Sequence, residues 1–163
     1  MPRQTRSLLA SLLVLVAAAA SAQPAVPPTV PAPMRAHVRD ERFQIVTAVR
    51  GLPLGVREEL QRMFGSTAMA IADPGEHFQV TDVITEPGLP IRRLSVAGCS
   101  QDHCLVYCER GGMAHRWPAV RLHWTPDGTR VEAGGTAPSG LRTIDDLRDA
   151  VLSGALKGPG RYW

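Results

Sequence analysis

Residues 91–124 read IRRLSVAGCSQDHCLVYCERGGMAHRWPAVRLHW and carry the clearest strand pattern of the chain. It contains three segments, 91–97, 105–109 and 117–124, in which apolar and β-branched residues recur at the spacing of strands. Gly111-Gly112 separates the second segment from the third, and Pro126-Asp127-Gly128 follows the third as a further turn. Short connections of this kind favour neighbouring antiparallel strands.

Helical patterns lie on both sides of these strands. Upstream, Pro53 suits a first helical position, and Gly65 is a stop signal after an apolar stripe formed by Val56, Leu60, Met63 and Phe64. Downstream, Thr143 is a predicted N-cap, Ile144, Leu147 and Val151 form a stripe, and Gly154 ends it. Residues 78–84 read as another strand, and residues 43–49 fit either a strand or a helical turn. The order of elements predicts an α+β fold, an antiparallel sheet of about five strands with flanking N- and C-terminal helices.

The first 34 residues have the composition of export and linker segments. Arg3 and Arg6 precede a 13-residue apolar run, residues 8–20, and the small-residue site Ala20-Ser21-Ala22, which together predict a secretory signal peptide over residues 1–22. Residues 23–34 contain five prolines and predict an extended linker. A single α+β domain is then expected over residues 35–163. We expect a periplasmic or secreted protein, and the Ala-rich, Arg-rich composition favours a bacterial one.

The net charge and the lengths of the apolar runs indicate neither a nucleic-acid partner nor a membrane anchor in the mature protein. Without the two signal arginines the chain carries 16 Lys and Arg against 15 Asp and Glu, so the mature protein is nearly neutral. No nucleic-acid partner is expected, and no later apolar run approaches the length that would anchor the mature form in a membrane. The sequence leaves the oligomeric state open, a homodimer included.

The three cysteines lie within ten residues and predict one disulfide. Cys104 and Cys108 are four apart on a predicted strand, about 13 Å between Cα atoms, which is beyond disulfide reach. Cys99 and Cys104 flank a predicted turn, so they are expected to pair and to close a loop of Ser100, Gln101, Asp102 and His103. Cys108 is expected to be a buried small hydrophobe.

Three interpretations of this loop stay open. The first is a structural disulfide that stabilises a hairpin, and the second is a rigid recognition loop that presents Asp102 and His103. The third is a metal site formed by Cys99, His103, Cys104 and Cys108. The metal interpretation is the weakest because a C-x-x-C pair is missing and export favours oxidised cysteines, so no metal ligand and no cofactor are assigned. A thiol dyad of Cys108 with a histidine is a further, enzymatic alternative, but no hydrolase motif is present and a non-enzyme is expected.

The loop resembles one in the Ivy family, the periplasmic inhibitors of vertebrate C-type lysozymes. Those proteins carry a C-x4-C loop with a His and an Asp between strands of an antiparallel sheet, and residues 99–104 match that layout. Residues 150–156 and Gly160-Arg161-Tyr162 are similar to the C-terminal helix and aromatic end of the family. The family loop usually reads Lys-Pro-His-Asp, whereas here the order of His and Asp is reversed.

The resemblance implies an exported lysozyme inhibitor. In this hypothesis the loop closed by Cys99 and Cys104 enters the glycosidase cleft, where His103 contacts one or both catalytic carboxyl groups. Ser100, Gln101 and Asp102 would form the rest of the contact with C-type lysozyme. The alternative is a non-catalytic periplasmic module that binds a metal ion or a cell-envelope ligand.

Overall fold

Four long antiparallel strands form the centre of the molecule. The structure is a computed structural model that describes residues 29–65, 70–84 and 86–158. The strands are β3 (Arg92–Cys99), β4 (His103–Arg110), β5 (Pro118–Thr125) and β6 (Gly128–Thr136), each paired with the next. Two short strands, β1 (Gln44–Ile45) and β2 (Ile71–Ala72), pair with opposite ends of β3, the first antiparallel and the second parallel.

Three α-helices cover the two faces of this sheet. They are α1 (Ala32–Asp40), α2 (Leu54–Phe64) and α3 (Ile144–Ser153), and a 3-10 turn (Val49–Gly51) precedes α2. The alternation of strand side chains separates two cores: Leu105 and Tyr107 of β4 pack with α1 and α3, whereas Val106 and Cys108 pack with α2. The predicted α+β class, with helices flanking an antiparallel sheet of five to six strands, is therefore confirmed.

Local signals explain the helix boundaries. Gly65 and Gly154 follow α2 and α3 with φ of 63° and 76°, the left-handed conformation that glycine adopts without strain, as both stop signals predicted. Thr143 caps α3 as predicted, accepting from the backbone N–H of Asp146, whose carboxylate in turn accepts from the backbone N–H of Thr143.

Several sequence expectations are corrected. Residues 78–84 form no strand, and Val83 and Ile84 are exposed. Helix α1 begins at Ala32, inside the segment expected to be an extended linker over residues 23–34, because Pro33 lies in the first turn, where its missing N–H costs no intrahelical bond. Strand β6 was not predicted, since its three glycines and alternating charges mask the pattern.

Some sequence predictions concern segments at the two ends of the chain. The expected signal peptide, residues 23–28 of the expected linker and the aromatic end at 160–162 lie outside the described residues. No helix in the described ranges is both long and apolar enough to span a membrane.

Candidate functional site

A disulfide closes the turn between β3 and β4. Cys99 and Cys104 are bonded, with their Cα atoms 4.1 Å apart, which confirms the predicted pair. The backbone N–H of Ser100 donates to the carbonyl oxygen of His103 at 2.7 Å, so the connection is a two-residue turn. Gln101 is exposed at its tip and the Asp102 side chain is 45% exposed.

His103 does not lie at the exposed tip, and that expectation is wrong. It is the first residue of β4 and only 5% exposed. Because side chains alternate along a strand, His103 faces the same side as Leu105 and Tyr107, beneath the C-terminal end of α1. The turn is too short to project His103 into solvent.

Three side chains converge around the Nδ1 atom of His103 and form with it a cluster of four residues. Asp102 Oδ1 lies 2.9 Å from it, Glu41 Oε1 3.0 Å and His37 Nε2 3.2 Å. One atom from each of the four residues can be chosen so that all lie within 4.8 Å of one another. The cluster therefore joins α1 and the residue that follows it to the β3–β4 turn, more than 60 residues away in sequence.

Hydrogen bonding leaves this cluster incompletely satisfied. A ring nitrogen carries either one hydrogen or one lone pair, so Nδ1 of His103 cannot bond to three neighbours at once. The Glu41 side chain is 6% exposed, and its Oε2 has no hydrogen-bond partner in the described part of the chain. A buried carboxylate oxygen without such a partner is costly, and most buried polar atoms in proteins have one.

Local structure explains how α1 delivers two of these groups. His37 and Glu41 are four residues apart, so both side chains lie on the same side of the helix end. Val38, between them, is fully buried in the core against α3, which fixes the rotation of the helix. The Glu41 carbonyl accepts from Arg148 Nη2 at 2.7 Å, and its Oε1 accepts from the Ser100 hydroxyl.

A second carboxylate lies on the opposite side of the His103 ring. Glu132 Oε2 of β6 is 3.6 Å from His103 Nε2 and accepts from Nη1 of Arg121, a guanidinium that is 1% exposed. The Arg121 Nη2 atom lies 4.0 Å from Oε2 of Glu41, the oxygen without a hydrogen-bond partner. Three carboxylates, from Glu41, Asp102 and Glu132, thus surround a site that contains one deeply buried cation.

Burial also affects ionisation in the cluster. Desolvation lowers the pKa of His103, and the Arg121 charge lowers it further, whereas Glu41 and Asp102 oppose the shift. The net direction favours the neutral imidazole, which is the form that binds metal ions. Desolvation also lowers the pKa of Arg121.

The cysteines take no part in this cluster. Cys99 and Cys104 are oxidised, and Cys108 is buried on the α2 side of the sheet, as expected of a small hydrophobe. Burial raises the pKa of Cys108 to about 12, so the thiol is not ionised near neutral pH. The bond between Cys99 and Cys104 and the burial of Cys108 argue against both the thiolate metal site and the thiol dyad.

Sequence reasoning singled out Asp102 and His103 but missed His37 and Glu41. Their i, i+4 spacing was a usable signal only if residues 32–40 had been recognised as a helix, and the prolines argued against that. Comparison of the chain with known protein families, curated proteins and solved structures finds no match.

Proposed function

We propose that this protein binds a divalent first-row transition-metal ion through His37, Glu41, Asp102 and His103. The observation that carries the proposal is the convergence of four ligand groups, one of which, the buried Glu41 carboxylate, has an oxygen without a hydrogen-bond partner in the described chain. This is the metal-binding form of the binding-module alternative, with histidine and carboxylate ligands in place of thiolates.

The separations suit a small ion. Ligand atoms bound at about 2.0 Å to one tetrahedral ion lie about 3.3 Å from each other. Here Nδ1 of His103 is 2.9–3.2 Å from its three neighbours, a few tenths of an ångström less. The other pairs of ligand atoms lie within 4.8 Å of one another. To seat a tetrahedral ion, the more distant side chains would therefore have to move inward by up to about 1.5 Å. Two imidazole nitrogens and two carboxylates form a donor set that suits zinc and its neighbours in the first row.

Charge and access support the same proposal. Glu41, Asp102 and Glu132 carry three negative charges at the site, and Arg121 and Arg130 carry two positive charges beside them. A divalent cation would offset the excess negative charge. The side chains of His37 and Asp102 are 53% and 45% exposed, whereas those of Glu41 and His103 are each 6% exposed. An ion can therefore reach the cluster from solvent through the exposed side of His37 and Asp102 and contact the buried side chains of Glu41 and His103.

Calorimetric titration with zinc of the mature, disulfide-bonded protein tests the proposal. We expect one zinc ion per chain, a large loss of affinity in His37→Ala, and unchanged binding in His115→Ala. His37 suits the test because its exposed side chain can be removed with little effect on the core. His115 is a matched control since it lies beside Trp117 and Glu109, away from the cluster. Absence of zinc binding, or equal binding by His37→Ala, would overturn the proposal.

A second candidate is the lysozyme-inhibitor activity that the resemblance implies. The disulfide-closed turn favours it, because a rigid turn loses little entropy when it binds a partner. The contact would have to come from Gln101 and Asp102 at the tip, since His103 is buried beneath α1. Lysis of bacterial cell walls by C-type lysozyme, measured with the wild type and with Gln101→Arg, tests this candidate. Inhibition by the wild type that the variant loses would support it, and no inhibition would exclude it.

A further inference from the structure

We propose that Glu132 is a positioning residue for the metal ion, accepting the Nε2 hydrogen of His103 so that Nδ1 faces the ion. The inference rests on the proposed metal-binding function. Glu132 lies on β6, which contributes none of the four ligands, and its position assigns a tautomer to His103.

The two nitrogens of the His103 ring have different surroundings. Nδ1 faces His37, Glu41 and Asp102, whereas Nε2 faces Glu132 Oε2 at 3.6 Å. When an ion takes the lone pair of Nδ1, the hydrogen of a neutral ring resides on Nε2. An ionised carboxylate can only accept, so Glu132 matches this tautomer. The present separation is longer than a hydrogen bond, and a small rotation of the ring toward Glu132 would close it.

A β-bulge directs Glu132 toward the ring. In the pairing of β5 with β6, Arg121 lies opposite Ala133 and Leu122 lies opposite Val131, which leaves Glu132 as an extra residue in β6. Ala133 packs on the α1 side of the sheet and Val131 on the α2 side, although residues two apart on a regular strand share a face. The bulge breaks that alternation and lets Glu132 point to the same side as His103.

Two arginines hold the Glu132 carboxylate in place. Arg121 Nη1 donates to Oε2, and Arg130 Nη2 donates to Oε1 at 3.0 Å. The Glu132 side chain is 7% exposed, so it has little rotational freedom. Carboxylates that orient a metal-bound histidine in this way raise metal affinity by about 10- to 100-fold.

The test compares Glu132→Gln with Glu109→Gln in zinc titrations of the full mature protein. Glu109 is a matched control because its carboxylate also contacts an arginine, Arg93, and a histidine, His115, but lies outside the cluster. We expect about 10- to 100-fold weaker zinc binding in Glu132→Gln and wild-type affinity in Glu109→Gln. If the two variants bind zinc with equal affinity and the wild type still binds zinc, the role of Glu132 is overturned and the proposed metal site is not.

Nitrogen-15 NMR of zinc-loaded wild-type protein gives a readout that does not depend on the variant folding. The long-range proton–nitrogen correlations of His103 should show a metal-bound Nδ1 and a hydrogen on Nε2. A hydrogen on Nδ1 with Nε2 bound to zinc would contradict the proposal. If the wild type binds no zinc, both the proposed function and this inference fail.

Discussion

Zinc should raise the thermal stability of this protein, because the ion would connect two parts of the chain that are distant in sequence. His37 lies on α1 and His103 lies on β4, 66 residues apart in sequence. An ion that binds only the folded state stabilises it by RT ln(1 + [L]/Kd), which is about 2.7 kcal/mol at a hundredfold excess over Kd. For a domain of this size that corresponds to a rise in Tm of roughly 5–15 °C.

Circular dichroism melts with added zinc and with a chelator measure this shift. The wild type and His115→Ala should melt at a higher temperature with zinc, whereas His37→Ala should melt at the same temperature in both buffers. A wild-type Tm that zinc leaves unchanged would show that no stabilising ion binds between α1 and the sheet. So would an equal rise in His37→Ala, because the stabilisation would then come from another site.

Three further predictions concern the fold. Contacts with Arg142 and Thr143 lower the pKa of Asp146, so the contribution of this carboxylate to stability is full above the unfolded carboxyl pKa and is lost as pH falls through the folded value. Urea melts should show that Asp146→Asn is less stable than the wild type at pH 7 and equal to it at pH 2. An equal loss of stability at both pH values would contradict this prediction. The Cys108 thiol, buried with a pKa raised to about 12, should resist a disulfide-exchange reagent at pH 8 in the folded protein and react once per chain in guanidinium, so rapid labelling of folded protein would contradict its burial. Leu147→Ala empties a fully buried position between α3 and the sheet and should cost about 2–5 kcal/mol in urea unfolding; a loss below about 1 kcal/mol would contradict the packing described.

The sequence predicted those elements whose signals are local. The caps of α3, the stop at Gly65 and the Cys99–Cys104 pair each depend on residues within one turn of each other, and all three are confirmed. The sequence did not predict strand β6, because its pairing with β5 stabilises a glycine-rich segment that has weak strand propensity of its own. Residues 78–84 have the apolar content of a strand but find no partner strand.

The candidate site could be predicted only in part, because it is assembled by tertiary contacts. Asp102 and His103 stand out in the sequence since they lie between two cysteines. His37 and Glu41 become their neighbours only through the packing of α1 on the sheet, and Glu132 only through a bulge in β6. The same packing buries His103, which a sequence argument placed at an exposed tip.

Anomalous X-ray diffraction from zinc-soaked crystals of the mature protein would locate the ion itself. We expect one strong zinc peak within about 2.0–2.2 Å of His37 Nε2, His103 Nδ1 and the carboxylates of Glu41 and Asp102. A map without a peak in this cluster, at a zinc concentration that saturates ordinary histidine and carboxylate sites, would contradict the proposed metal site.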